Sequence, residues 1–281
     1  MRARPRPHRG IDRREGDEPE GRASGGPVPL GSVGDTPFPT PLGRKTLVEE
    51  TAIVLGLSLL QSAVDAIITL FQAPVNPSVV VAVGPQSTLL AQNLEAIVFA
   101  AVPVWLVVYL VRRNGEGVAA IGLRWNRPVA DVEWGTALAA IVGGVGIGVY
   151  VAAVHLGVNR LVVPVPPLHH WWTYPVLVLN SAQNGLLEEV VVVAYLITRL
   201  RQLGWAIPAA VSASAVLRAS YHLYQGWGAF TGNLALGLFF AWIFIRWRRT
   251  WPLVIAHTLV DVGAGVLYIA LRSKLPGLLG A

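Results

Sequence analysis

Beyond residue 48 the chain is a succession of apolar runs of about 20 residues separated by short polar loops. A run of that length is what an α-helix needs to cross a hydrocarbon core of about 30 Å. Seven candidate spans can be drawn, at 49–71, 89–111, 133–156, 173–199, 205–223, 229–246 and 250–271. A backbone inside a bilayer must satisfy its own hydrogen bonds, so runs of this kind become helices. The expected fold is all-α, a polytopic membrane helix bundle of about seven transmembrane helices. Only 14% of residues are charged, against about 25% in a soluble domain. Cysteine is absent, which excludes a disulfide framework, a thiolate metal site and a cysteine nucleophile.

Residues 1–47 are rich in Arg, Pro, Gly and acids, with almost no large apolar residue before Leu30. Such a segment cannot bury enough surface to offset its ordering entropy and is expected to be a disordered tail. No apolar stretch follows its early arginines, so it does not read as a signal peptide. The net charge of +6 follows the positive-inside rule rather than a nucleic-acid surface. The tail, Arg112, Arg113, Arg124, Arg127, Arg199, Arg201, Arg246, Arg248 and Arg249 all fall on one side of the alternating spans. Arg160, Arg272 and Lys274 fall on the other. The expectation is a multi-pass protein of the cytoplasmic membrane with its N-terminus in the cytoplasm. Its expected partners are the lipid bilayer and a membrane protein or peptide, with no nucleic acid. Trp171 and Trp172 open the fourth span as interfacial anchors. Gly144/Gly148 and Gly228/Gly232 place small residues one turn apart, as close helix packing requires.

The informative residues are those a membrane should not tolerate. The fourth span carries Asn184, Glu188 and Glu189, the fifth Arg218 and His222, and the seventh His257 and Asp261. A charge at the bilayer centre costs about 2.5–3.5 kcal/mol on insertion scales, so these groups must face one another or a wet cavity. Asn184 and Glu188, Arg218 and His222, and His257 and Asp261 are each four apart and share a helix face. Glu188 and Glu189 are about 100° apart on an α-helix. They are therefore expected to diverge, one doing chemistry and the other meeting a partner such as Arg218. A carboxylate in an apolar cavity beside histidines suits water activation. A second histidine, fixed by an Asp one turn away, suits oxyanion stabilisation. Asp65, Glu95 and His155 read as helix-packing hydrogen bonds, and His169 and His170 as interfacial residues.

These residues resemble the motifs of the CPBP family, the bacterial relatives of the CAAX prenyl protease membrane endopeptidases. The family has a Glu-Glu motif, a later Phe-x-x-x-His and a final His-x-x-x-Asn/Asp, each on a membrane helix. Here they read Glu188-Glu189, Arg218-Ala-Ser-Tyr-His222 and His257-Thr-Leu-Val-Asp261. The stretch 217–226 looks like an actinobacterial branch. The resemblance implies a catalytic core over 173–265, after N-terminal transmembrane helices at 48–172 and before the end of the last helix and a tail at 266–281. It also implies that Glu188 activates water with help from His222, and that Glu189 is the second motif carboxylate. His257 and Asp261 would sit where the family stabilises the oxyanion. Two departures stand out. The arginine often found four or five residues after the paired Glu is replaced by Val192 and Val193, and the motif Phe by Arg218. Arg218 could replace the lost arginine from the next helix. Asp261 stands where Asn is common, and an ionised Asp can act on an oxyanion only through His257.

The leading reading is an intramembrane endopeptidase hydrolysing a peptide bond of a membrane-associated protein or peptide, with no cofactor. One alternative is a metal-dependent version with zinc held by Glu188, His222, His257 and Asp261; no His-Glu-x-x-His is present. The other is a non-catalytic relative acting as a binder, immunity factor or transporter.

Overall fold

The computed structural model describes residues 40–71, 78–80, 86–158, 161–163 and 170–271. Most of the expected tail, together with Arg160, His169, Arg272 and Lys274, lies outside the described residues. In chain order the elements are α1 (Arg44–Leu55), a π-helical segment (Gly56–Leu60), α2 (Gln61–Phe71), β1 (Ser78–Val80), α3 (Gln86–Arg113), a 3-10 turn (Val118–Ile121) and α4 (Pro128–His155). Then follow β2 (Leu161–Val163), α5 (Thr173–Leu186), a second π-helical segment (Leu187–Tyr195), α6 (Leu196–Gln202), α7 (Ile207–Ser220), a 3-10 turn (Leu223–Gln225), α8 (Trp227–Trp247) and α9 (Trp251–Leu271). The all-α class holds. The addition is a parallel pairing of β1 with β2, in register Ser78 to Leu161.

Among the described residues six helices are long and apolar enough to cross a membrane, counting α1–α2 and α5–α6 as continuous. The seventh expected span, 205–223, is the 14-residue α7, about 21 Å long. It stops short of a full crossing. The reason lies in its flanks. Gly204 turns the chain with φ 89 and Pro208 sits in the first turn of α7, where its missing N–H costs nothing. At the far end Gly226 takes φ 112, a conformation that favours glycine, and α8 turns back against α7.

The helix running from α5 through α6 is the centre of the bundle. Residues 190 to 197 are buried all round, as expected for a helix apolar on every face. Close approaches bring α9 onto it. A methyl group built on Gly185 would lie 2.9 Å from Thr258 Oγ1 and 3.0 Å from the Val254 carbonyl oxygen. Gly135 meets Ile255 in the same way across α4 and α9. The glycines singled out by spacing behave differently. Nothing lies within 4 Å of a methyl group built on Gly144, Gly148 or Gly232. Spacing identifies small residues but not the face they occupy.

The arginines expected on one side do meet at one end. Arg199 Nη1 pairs with Glu116 Oε2 at 2.6 Å, and Arg249 holds Asp131 through Nε and Nη2, both at 2.6 Å. Arg248 donates to the Ala120 carbonyl and Arg44 to that of Leu203. These contacts join the starts of α1 and α4 to the ends of α3, α6 and α8.

Gly185→Val should lower the thermal midpoint in detergent by the equivalent of about 1–3 kcal/mol, the usual cost of overpacking a filled contact. Gly144→Ala should leave the midpoint unchanged. Equal effects would contradict this assignment of the packing faces.

Candidate active site

Glu188 and Glu189 lie inside the second π-helical segment, where the backbone hydrogen bonds run from i to i+5 and the turn takes an extra residue. π turns of this kind occur often at functional sites. Ser214 on α7 donates to the Val192 carbonyl at 2.7 Å, fastening α7 against that segment. Arg218 projects from α7 beside it. A methyl group built on Gly237 of α8 would lie 3.3 Å from Arg218 Cδ and 3.0 Å from Ala215 Cα. Glycine there leaves room for the arginine stem, and the guanidinium carbon sits 5.8 Å from the centroid of the Phe240 ring.

The guanidinium takes both carboxylates. Nη1 donates to Glu189 Oε1 at 2.7 Å, and Nη2 lies 3.0 Å from Glu188 Oε2. The expectation that the two carboxylates diverge, with only one meeting the arginine, is therefore corrected. Two features account for it: the π turn changes the angle between neighbouring side chains, and a guanidinium offers two separate N–H edges. The same change of helix type explains Asn184. Its stacking under Glu188 assumed an unbroken α-helix, but the π segment begins between them at Leu187. Asn184 is exposed, and none of the ion contacts reaches it.

His257 on α9 completes the inner side. Its Nδ1 lies 2.8 Å from Glu189 Oε1. A carboxylate only accepts, so Nδ1 carries the proton of this bond. Its Nε2 faces Asp261 Oδ2 at 3.6 Å, one turn along α9. On the other side His222 Nε2 faces Glu188 Oε1 at 3.5 Å. His222 follows the end of α7, so the short helix brings it to the carboxylates where a full span would carry it past them. All five expected catalytic residues and Arg218 thus form one connected cluster.

Side-chain exposure falls steadily across the cluster: 33% at Asp261, 18% at His222, 11% at Glu188 and zero at Glu189. The site therefore has an open side, formed by Asp261, His222 and Glu188, and a sealed side, formed by Glu189 and Arg218. One guanidinium cannot neutralise three carboxylates. The imidazoles of His222 and His257 are the remaining groups beside the carboxylates that can both give and take a proton, as general acid–base chemistry requires.

Tyr221 is a neighbour that spacing did not single out. It is buried, its ring centroid is 4.9 Å from that of His222, and it interacts electrostatically with Glu188 and Arg218. Its place three residues after Arg218 was the available signal. Glu188, Glu189 and His257 also bring ligand-type atoms within 4.8 Å of one another. This trio differs from the expected metal set, since it takes Glu189 and omits His222 and Asp261. Arg218 already bridges both carboxylates of the trio, so a divalent cation would compete with a fixed positive charge.

Residues 170–263, a third of the chain, match the family model described as Type II CAAX prenyl endopeptidase Rce1-like. The matched segment contains every member of the cluster. No curated protein and no solved structure matches the chain.

Arg218→Met would leave two buried carboxylates without their cation and should destabilise the protein by about 3–5 kcal/mol. Adding Glu189→Gln should restore part of that loss, read as non-additivity in a double-mutant cycle of thermal midpoints. Strict additivity would show that Arg218 and Glu189 are not energetically coupled.

Proposed function

We propose, taking an Rce1-like segment that carries the whole ion cluster as the premise, that the protein is an endopeptidase hydrolysing a peptide bond within the plane of the membrane. The observation that carries this reading is the facing pair Glu188 Oε1 and His222 Nε2, 3.5 Å apart, backed by the sealed Glu189–Arg218 pair. Glu188 takes a proton from water held between its Oε1 and His222 Nε2. The resulting hydroxide attacks the scissile carbonyl, and the carbonyl oxygen becomes an oxyanion. His257 acts as an imidazolium: it donates through Nδ1 to Glu189 and presents its Nε2–H to that oxyanion, and Asp261 acts through His257. The proton taken by Glu188 passes to the leaving amine, directly or through His222. Glu189 is a positioning residue, because both its neighbours and its burial keep it from water.

Arg218 takes over the part of the arginine missing at 192 and 193. Both valines are fully buried, and the guanidinium arrives from α7 to the same two carboxylates. The reaction needs no metal, since Arg218 supplies the positive charge beside the carboxylates. The substrate is a membrane protein or membrane-associated peptide. The enzyme belongs to the cytoplasmic membrane with the arginine-rich end of the bundle inside, which also places the start of α1 in the cytoplasm.

Purified protein should cleave members of a quenched peptide library. Glu188→Gln and His222→Asn should each lower the rate by at least 10²-fold, the usual scale for a general acid–base residue. Chelator should leave the wild-type rate unchanged, and its loss there would assign the site to a metal. Absence of cleavage by folded wild type across membrane-peptide libraries would favour a non-catalytic relative. A second test concerns the arginine. Arg218→Phe should abolish cleavage, Val193→Arg alone should impair it, and the double variant should recover a substantial part.

A further inference from the structure

A cavity of about 490 Å³ opens at the arginine-rich end of the bundle, between the loop after α3 and the ends of α6 and α8. Its walls include Glu116, Ala120, Arg124, Thr198, Gln202 and Arg248. It is distinct from the ion cluster: Thr198 lies nine residues beyond Glu189, about 13 Å along the helix.

Several observations give this cavity a sign. Its acidic wall is already neutralised, because Glu116 Oε2 accepts from Arg199 Nη1 and Oε1 from Gln202 Nε2, each at 2.6 Å. Arg124 and Arg248 share the cavity as like charges. Burial, and then the neighbouring Arg124 charge, push the Arg248 guanidinium down to about 10, so it is still a cation at neutral pH. Arg248 closes α8 in the left-handed conformation, at φ 52°, with its N–H on the Phe244 carbonyl, which turns the chain at the rim of the cavity. Its Nη2 is fixed by the Ala120 carbonyl at 2.8 Å. Thr198 lines the same space, is 1% exposed, and its hydroxyl meets no partner among the described residues.

We propose that this cavity is a binding site for a phosphate-class anion, held by the guanidinium groups of Arg124 and Arg248 with the Thr198 hydroxyl as a further donor. Guanidinium edges match phosphate oxygens in charge and spacing, and an anion between the two arginines removes their mutual repulsion. The cavity sits where the apolar helices α6 and α8 end, and basic pockets between membrane helices take anionic headgroups. The phosphate group can come from an anionic phospholipid or from free phosphate. Occupancy ties the loop after α3 to the ends of α6 and α8, and it does so independently of any catalysis.

The test is the thermal midpoint of the full chain in nanodiscs at matched ionic strength. Three conditions are compared: phosphatidylcholine alone, phosphatidylcholine with phosphatidylglycerol, and phosphatidylcholine with millimolar inorganic phosphate. A ligand that binds only the folded state raises the midpoint. The wild type should rise by several degrees with one of the two sources. Arg124→Gln, at an exposed position, should lose at least half of that rise, and Thr198→Val should lose part of it. A rise with phosphatidylglycerol alone identifies a lipid headgroup, and a rise with inorganic phosphate identifies a soluble anion. No rise in either condition overturns the proposal. An equal rise in wild type and both variants also overturns it, as a general effect of anionic surroundings.

Discussion

A carboxylate carried into a bilayer must find a cation or give up its charge, and Glu188 and Glu189 find the same cation. The guanidinium of Arg218 stands between them at 3.0 and 2.7 Å. Much of the surrounding structure serves that contact. The π segment presents both carboxylates, Gly237 leaves space for the arginine stem, and Ser214 fastens α7 to the segment. Charge pairs of this depth are expensive to assemble and cost more to break than they contribute. A cluster of this kind points to a function rather than to stability, and the proposed hydrolysis would use every member of it.

The two sides of the cluster divide the work. Glu189 and Arg218 are sealed and fix the positions of their neighbours. Glu188, His222 and Asp261 form the more exposed side, where in the proposed reaction water and a carbonyl group would enter. His257 joins the two, touching Glu189 with one nitrogen and facing Asp261 with the other. The other end of the bundle has a separate polar system built on Arg199, Glu116 and Asp131. The helix from α5 through α6 links the two, carrying Glu188 in its middle and Arg199 near its end.

Much of this was legible in the sequence for a plain physical reason: charges in apolar spans cannot be incidental. That argument alone brought Glu188, Glu189, Arg218, His222, His257 and Asp261 together, and six of the seven expected spans followed from hydropathy. What sequence did not carry was geometry at the scale of a turn. No residue pattern announces a π segment, so Asn184 was stacked on Glu188 and the two glutamates were set apart. The 205–223 run is apolar enough to look like a full span, and only the turns at Gly204 and Gly226 shorten it. A glycine pair such as Gly144 and Gly148 permits close packing but does not supply the partner, which here comes instead to Gly135 and Gly185. Tyr221 went unnoticed because an aromatic residue near a span end has an ordinary interfacial reading.

The central claim is that water reaches the ion cluster through its open side while the sealed side stays dry. The chain contains no cysteine, so single cysteines can be introduced without a background. In nanodiscs, a water-soluble, membrane-impermeant thiol reagent should modify His222→Cys and Asp261→Cys and leave Val193→Cys untouched. If folded protein with cysteine at 222 or 261 proved as inert as with cysteine at 193, no water path would exist and the hydrolytic account of this site would be wrong.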